Sequence, residues 1–267
     1  MIDSAYQDRF GGISRLYGQS AVETLQAAHV CVVGIGGVGS WAAEALARSG
    51  IGTITLIDMD DICVTNTNRQ VHTKADTVGQ LKVEAMAERI KAINPACTVN
   101  PVMDFITRDN LSKHITKDMD FVVDCIDSVA SKAAMIGYCN RNKIKIITTG
   151  AAGGQLDPTQ VTVGDLNKTF NDPLARKVRS MLRRHYGFSR NPKRTYSVPC
   201  VYSQEQLKYP KPDGSVCQQK TVMEGSTRLD CAGGFGAATM VTATFGFAAV
   251  SKVIEKLLRA ANKKSSS

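Results

Sequence analysis

Residues 29–40 read HVCVVGIGGVGS. An apolar, β-branched run leads there into the pattern G-x-G-x-x-G, and an alanine-rich helical pattern follows at 41–48. This order of strand, turn and helix is the setting that a phosphate-binding turn requires. Gly34 permits the tight turn, Gly36 lets a phosphate approach the backbone, and Gly39 lets the helix pack closely on the strand. Free N–H groups at the start of that helix would then face the anion.

An acidic residue follows the glycine pattern at the expected distance. The apolar run at 53–57 predicts a second strand, which ends at Asp58. In dinucleotide-binding turns, an acid about 20 residues further on holds the ribose hydroxyls. The alternative is a structural turn beside an ordinary aspartate at the end of a strand. Because strand, turn, helix and acid occur in order, we predict a nucleotide site, and this pattern leaves the nucleotide itself open.

The composition is that of a folded protein in a reducing compartment. The chain has 267 residues, 43% of them hydrophobic, which is enough for one domain with a substantial core. Its 8 cysteines form no C-x-x-C pair, which favours reduced thiols over disulfides or a zinc site. Residues 1–10 are polar and charged, so we expect no secretory signal and a cytoplasmic location.

One uncharged stretch, at 231–250, is long enough to cross a bilayer. It is rich in Gly, Ala and Thr rather than in Leu and Ile, and its first residues have the character of a loop. We therefore predict a buried helix from about residue 236, in the core or at a dimer interface. Membrane association through this stretch is the alternative.

Strand-like and helical patterns alternate from residue 29 to about 150. This alternation predicts an α/β fold, a Rossmann-like, mostly parallel sheet with helices on both faces. Beyond Gly150, glycines, prolines and short strands predict a less regular C-terminal lobe. We divide the chain into a nucleotide-binding core at 29–150, a substrate or RNA lobe at 151–235 and a C-terminal helix at 236–260.

Polar residues after Asp58 favour ATP over NAD as the nucleotide. A nicotinamide enzyme has no evident need for the acids, amides and arginine packed into residues 59–70. A triphosphate needs cations that stabilise charge on the α-phosphate and on the departing pyrophosphate. Arg69 and Lys82 supply two such cations. Asp127, after an apolar strand, is placed where a carboxylate can hold Mg²⁺ that bridges phosphates.

At these positions the sequence resembles a known family. The pattern D-x-D-x-[VI]-x-x-x-N-x-x-R-Q after a G-x-G-G-x-G turn is similar to the ubiquitin-activating-enzyme-like adenylyltransferases. That family includes the activators of sulfur-carrier proteins. The likeness covers about residues 8–258 and is greatest to members that modify tRNA, as carried by 9–12, 157–160 and 230–247. It implies a single adenylation domain over 1–267, ATP with Mg²⁺, and a homodimer.

The resemblance also implies roles for individual residues. Asp58 would hold the ribose hydroxyls, Asn66, Arg69 and Lys82 would contact phosphates, and Asp127 would lie near Mg²⁺ and the α-phosphate. We take Arg69, Lys82 and Asp127 as the catalytic candidates. The full set of nucleotide-binding candidates is Gly34, Gly36, Gly37, Gly39, Asp58, Asp60, Asn66, Arg69, Gln70, Lys82 and Asp127.

Each role has a simpler alternative. Asn66 and Arg69 could be a loop cap and a surface charge, and Lys82 could be a solvated helix residue, as most lysines are. Asp127 could only cap the helix that follows it. All four alternatives together are less probable than one shared site.

The chain departs from the family at three places, one of which is Ser128 after Asp127, where Asn is more usual. Sulfur-carrier activators commonly have two C-x-x-C pairs for zinc, and this chain has none, so we predict no structural zinc. Members often begin R-[FY]-x-R, in which the second arginine reaches the nucleotide of a partner subunit. Here that position is Gly12; Arg9 remains, and Arg15 is a candidate substitute.

A basic stretch at 173–204 contains no acidic residue. Arg and Lys contribute affinity for phosphates, and the interleaved Tyr186, Phe188 and Tyr196 could stack on an unstacked base. The alternative is a solvated surface helix and loop, and the resemblance favours RNA. The RNA-binding candidates are Arg176, Lys177, Arg179, Arg183, Arg184, Arg190, Lys193 and Arg194.

The resemblance implies a reaction on the threonylcarbamoyl adenosine next to the tRNA anticodon. Its threonine carboxylate would attack the α-phosphate of ATP, and ring closure would then release AMP. Cys231, beside a glycine-rich turn, is a candidate thiol, with cysteine-desulfurase sulfur-transfer proteins as candidate partners. The main alternative is an adenylyltransferase for a ubiquitin-like sulfur carrier. A non-catalytic nucleotide- and RNA-binding module and a nicotinamide oxidoreductase are further alternatives.

Overall fold

Seven strands form one sheet at the centre of the protein, as described by a computed structural model for residues 4–211, 213–218 and 235–265. The strands are β1 (His29–Val33), β2 (Thr53–Ile57), β3 (Thr98–Val102), β4 (Phe121–Asp124), β5 (Ile146–Thr149), β6 (Val161–Asp165) and β7 (Pro199–Ser203). A separate antiparallel pair consists of β8 (Tyr209–Pro210) and β9 (Val216–Cys217).

Helices connect the strands. They are α1 (Ser4–Tyr17), α2 (Gln19–Ala27), α3 (Gly39–Arg48), α4 (Lys82–Ile93), α5 (Leu111–His114), α6 (Val129–Asn142), α7 (Pro173–His185) and α8 (Thr239–Ser265). Short 3₁₀ helices lie at Val64–Asn66, Pro158–Gln160 and Leu166–Lys168.

The strand order β3-β2-β1-β4-β5-β7-β6 places a topological switch between β1 and β4. From β1 the chain builds outward through β2 and β3, and it then returns to add β4 on the other side. All neighbouring strands are parallel except β6 and β7. Ligands of such sheets bind outside the carboxyl ends of the strands at the switch. The fold therefore opens a crevice beside the residues that follow β1 and β4.

The core lies on both faces of the sheet because side chains alternate along each strand. In β1, Val30 and Val32 pack in one cluster with residues of α3, α4 and α8. Cys31 and Val33 point to the other face and pack with residues of α6 and α7. The predicted α/β fold, with a mostly parallel sheet and helices on both faces, is confirmed.

The residues after Gly150 add two strands to the same sheet and also form the small separate β8–β9 pair. Strand β7 pairs parallel with β5, and β6 pairs antiparallel with β7. The 3₁₀ helices and the β8–β9 pair give this region its irregular character.

Helix α8 packs on α3, where Phe247 meets the edge of Trp41 with ring centroids 5.9 Å apart. Phe245 and Val250 of α8 are buried. Among the helices within 4–211, 213–218 and 235–265, none combines the length and the hydrophobicity that a membrane span needs.

Candidate nucleotide site

The glycine turn after β1 has three different steric environments. Gly34 has φ 85°, and a Cβ at Gly39 would lie 1.8 Å from the Gly34 carbonyl oxygen. At Gly36, the nearest atom to an added Cβ is Gln70 Nε2, at 3.9 Å. Gly34 and Gly39 are therefore required by the turn itself, whereas a Cβ at Gly36 would have room, with only Gln70 at van der Waals distance. That space lies at the beginning of α3, where N–H groups favour an anion.

Asp58 holds the glycine turn against the end of β2. Its Oδ2 accepts from the Ile35 N–H at 2.6 Å, and its Oδ1 accepts from the Asp60 N–H at 2.9 Å. Burial raises the pKa of Asp58, while the positive charge of Lys82 and the two backbone N–H groups oppose this rise. The carboxylate is thus placed at the crevice with its orientation fixed from two sides.

Lys82 brings a nearly buried ammonium group to the same edge. Its Nζ lies 2.6 Å from Asp60 Oδ2, and the exposed fraction is 8% for the Lys82 side chain against 53% for that of Asp60. The Lys82 N–H also donates to the Asp60 carbonyl oxygen at 3.1 Å as α4 begins. The interpretation of Lys82 as a solvated surface lysine is wrong.

Residues 64–70 form a loop over the glycine turn. Asn66 is buried, and its Oδ1 accepts from the Cys63 N–H at 3.0 Å. Arg69 lies against Gly37, because a Cβ there would be 3.1 Å from Arg69 Cγ. Gln70 is buried, and no hydrogen-bond partner for its Oε1 occurs within the part of the chain that the structure describes.

Asp127 is exposed in the turn between β4 and α6. The cap of α6 is Ser128, whose Oγ accepts from the Ser131 N–H at 3.4 Å, so the alternative role of Asp127 as the cap is wrong. No group of three or more metal-ligating side chains is found among the residues described. Mg²⁺ bound through Asp127 would take its other ligands from phosphates and water, as Mg²⁺ commonly does.

A buried ion pair beside this turn was not predicted from the sequence. Lys132 Nζ lies 2.9 Å from Asp124 Oδ1, and Thr148 Oγ1 donates to Asp124 Oδ2 at 2.6 Å. The Ile126 N–H donates to Asp124 Oδ1 at 3.3 Å. The pair therefore supports the backbone that leads to Asp127. The only sequence signal was an aspartate at the end of an apolar strand.

The crevice gathers most of the predicted nucleotide residues. The glycine turn, Asp58 and Lys82 share one connected set of contacts through Asp60 and Ile35, and the loop carrying Arg69 lies on Gly37. Asp127 follows β4, the strand beside β1 at the switch. Cys231 lies outside the described residues.

The basic stretch divides into an exposed face and an internal framework. Arg176, Lys177 and Arg184 are exposed on α7, and Arg190, Lys193 and Arg194 are exposed in the loop that follows. Arg179, by contrast, donates to the carbonyl oxygen of Leu166 and to Thr169 Oγ1. Arg183 donates to Tyr196 Oη and to Asn167 Oδ1, each at 2.8 Å.

The expectation that Tyr196 stacks on a base is wrong. Tyr196 is buried, its hydroxyl donates to the Ser189 carbonyl oxygen at 2.9 Å, and its ring meets Phe188. Tyr186 packs against α6, where a Cβ at Gly137 would lie 2.4 Å from its ring. These aromatic residues hold the basic stretch onto the sheet.

The sheet, the switch and the glycine turn define a Rossmann-like nucleotide-binding protein. The chain belongs to the ThiF family, which matches residues 11–267. The tRNA threonylcarbamoyladenosine dehydratase of Escherichia coli is 58% identical over 258 residues, which are 97% of this chain and 96% of that protein.

A solved structure extends this similarity to three dimensions. The crystal structure of the E. coli dehydratase in complex with ATP has a TM-score of 0.87 and 53% sequence identity, with 98% of this chain and 99% of that chain covered. The molybdopterin-synthase adenylyltransferase of Salmonella typhimurium is 38% identical over 130 residues, only 49% of this chain and 51% of that protein.

Proposed function

We propose that this protein is an ATP-dependent tRNA-modifying enzyme that dehydrates N6-threonylcarbamoyladenosine to its cyclic form. The observation that carries the proposal is the near full-length match to a dehydratase of this name, together with that relative's complex with ATP. The sulfur-carrier activator, our main alternative, matches only about half of the chain.

The reaction has two chemical steps. A threonine carboxylate oxygen attacks the α-phosphorus of ATP, and the bond to the bridging oxygen breaks to release pyrophosphate. The carbamoyl group of the same side chain then attacks the activated carbonyl carbon, closes the ring and expels AMP. Attack by the carbamoyl group releases one proton to solvent, and the carboxylate oxygen leaves on AMP. Counted from the carboxylic acid, the substrate loses the atoms of one water.

The residues of the crevice position the reactants and neutralise charge. The space above Gly36 takes a phosphate, and Asp58 accepts from the ribose hydroxyls. Lys82 and Arg69 stabilise the charge that develops on the α-phosphate and on pyrophosphate. Asp127 would hold Mg²⁺, which would supply positive charge to offset that of the phosphates. Because the two reacting groups belong to one side chain, orientation contributes much of the rate.

The exposed face of α7 is the proposed tRNA surface. Phosphate contacts from its cations, with those of the following loop, supply affinity and orient the anticodon region. Arg179 and Arg183 then have a supporting role. The residues that contact RNA are Arg176, Lys177, Arg184, Arg190, Lys193 and Arg194.

The proposed assembly is a cytoplasmic homodimer. Its support on α8 is a pair of exposed apolar side chains seven residues apart, Met240 at 62% and Phe247 at 46% exposed. That spacing places both side chains on one face of the helix, where a second copy could cover them. Sedimentation at micromolar concentration should give twice the monomer mass, and Phe247→Asp should shift it to the monomer.

Mass analysis of the nucleoside tests the function. The protein is incubated with ATP, Mg²⁺ and threonylcarbamoylated tRNA, and the tRNA is then digested. We expect a nucleoside lighter by one water, with one AMP formed per product. Folded protein that yields no such nucleoside contradicts the proposal, and pyrophosphate exchange that needs a carrier protein instead of tRNA supports the sulfur-carrier activator.

A further inference from the structure

The beginning of α8 is held firmly beside the glycine turn. A Cβ at Gly246 would lie 2.8 Å from both the Val38 carbonyl oxygen and the Ala42 nitrogen, so α8 and α3 approach to backbone contact. Phe245 is fully buried at the same junction. Nearer the start of α8, a Cβ at Gly37 would lie 3.5 Å from Thr242 Cγ2, so the first turn of the helix lies against the glycine turn.

Asn68 attaches the loop over the glycine turn to the beginning of α8. Its Nδ2 donates to the carbonyl oxygen of Ala237 at 2.8 Å. The main-chain carbonyl oxygen of Asn68 accepts from Thr239 Oγ1 at 2.7 Å. Two hydrogen bonds thus join one residue of the loop to the start of α8.

The other end of the Asn68 carboxamide holds Arg69. Asn68 Oδ1 accepts from Arg69 Nη1 at 2.9 Å, and the Thr65 carbonyl oxygen accepts from the same nitrogen at 2.9 Å. Trp41 Nε1 donates to the Arg69 carbonyl oxygen at 2.9 Å and so fixes the backbone as well. Because a guanidinium is planar and rigid, two acceptors on Nη1 also set the plane of its remaining N–H groups.

We propose that Asn68 is a positioning residue that sets the direction of the Arg69 guanidinium from the beginning of α8. The inference rests on the proposed function, in which Arg69 stabilises charge on the phosphates. Both polar ends of the Asn68 side chain are used, one by Ala237 and the other by Arg69. It acts through Arg69, and its oxygen and nitrogen ends have separate tasks: one orients the guanidinium, and the other locates the loop.

A double-mutant cycle tests this role. The measured quantity is the single-turnover release of labelled pyrophosphate from ATP, at saturating ATP and threonylcarbamoylated tRNA. Asn68→Ala should lose about tenfold or more in rate, because a displaced catalytic group loses orientation. Thr239→Val, which removes one anchor of the loop, should lose a smaller factor. In an Arg69→Ala background, neither change should slow the reaction further.

Asn142→Ala is the matched control, because Asn142 Nδ2 donates to the Tyr138 carbonyl oxygen at 3.0 Å far from the crevice. All variants should unfold at the wild-type temperature. The inference is overturned if Asn68→Ala reacts as fast as the control. It is also overturned if Asn68→Ala slows the Arg69→Ala protein by the same factor as it slows the wild type. If Arg69→Ala alone reacts at the wild-type rate, Arg69 does not stabilise the phosphates, and the positioning role of Asn68 fails as well. If Arg69→Ala is slow and Asn68→Ala normal, only the role of Asn68 fails.

Discussion

Lys132 of α6 neutralises Asp124 at the end of β4, with Nζ 2.9 Å from Oδ1 and both side chains buried. Burial raises the pKa of Asp124, and the charge of Lys132 opposes that rise. The pair joins the strand, the following helix and β5 at the edge of the crevice. A stable ion pair therefore helps to hold the turn that carries Asp127.

Removing one member of this pair should cost more than removing both. Lys132→Met leaves a carboxylate buried without a counterion, which costs about 3–5 kcal/mol of unfolding free energy. The double change Asp124→Asn with Lys132→Met should recover a large part of that loss. Urea unfolding measures both. An equal free energy of unfolding for the single variant and the wild type would show that the ion pair does not stabilise the fold.

Two glycines of the turn should respond differently to alanine. Gly39→Ala should not fold, since its Cβ would lie 1.8 Å from the Gly34 carbonyl oxygen. Gly36→Ala should fold normally and bind ATP more weakly, by about 1–3 kcal/mol, because the methyl group occupies the space for a phosphate. Thermal unfolding and calorimetric ATP titration separate the two effects. Unchanged ATP affinity in Gly36→Ala would remove this glycine from the nucleotide site.

Lys82→Ala should slow adenylation about 100- to 1,000-fold without unfolding the protein, because a charge-stabilising group is lost. Lys74 offers a matched control, since it also pairs with an aspartate, Asp76, at 3.1 Å but on the surface. Lys74→Ala should react at the wild-type rate. The measurement is pyrophosphate release at saturating ATP. If the two variants are equally active, Lys82 does not contact the phosphates.

The exposed cations of α7 should determine the salt dependence of tRNA binding. Replacing Arg176, Lys177 and Arg184 by Gln should weaken binding and flatten the plot of log K against log salt, by about 0.7–0.9 for each phosphate that the protein no longer neutralises. ATP affinity should not change. Arg259→Gln, on α8 at the opposite face of the sheet, is the control. An unchanged salt slope in the triple variant would place the tRNA elsewhere.

His72 should make the fold sensitive to mild acid. It is buried with Nε2 2.9 Å from the Ile35 carbonyl oxygen, and burial lowers its pKa from 6.5 to about 4. Above pH 6.5 the folded and unfolded states both hold it neutral, so its contribution is complete there. As the pH falls from 6.5 to about 4, only the unfolded state takes up a proton, and stability declines by about 3 kcal/mol.

The comparison is between wild type and His72→Gln, which retains a donor for the Ile35 carbonyl oxygen. Urea unfolding between pH 7.5 and pH 4.5, roughly the window in which a histidine with an unfolded pKa near 6.5 titrates, should show a shallower loss of stability in the variant. Equal slopes would mean that His72 takes up its proton over the same pH range in the folded and unfolded states.

The glycine turn and the mostly parallel sheet could be predicted because their signals are local. Spacing alone places Gly34, Gly36 and Gly39 on one turn, and the apolar run before Asp58 places that acid at the end of a strand. Residues beyond 150 were harder, because β6 and β7 join the sheet through contacts between distant parts of the chain.

Side-chain burial within the basic stretch could not be predicted, because it depends on where α7 lies. Nothing in the sequence distinguishes Arg183 from the exposed arginines of α7, or Tyr196 from an exposed tyrosine. The difference arises only when α7 packs so that Arg183 bonds to both Asn167 and Tyr196. Lys132 is a similar case. Its partner Asp124 is near in sequence, but burial of the pair requires α6 to pack over β4 and β5.

The chain contains a single tryptophan, and it is Trp41. Its indole N–H bonds to the Arg69 carbonyl oxygen, and its ring meets Phe247. The tryptophan emission of the unlabelled protein therefore originates at one junction between the loop and the terminal helix. Any rearrangement there can be followed optically in stopped flow, with no dye attached and no competing indole to subtract.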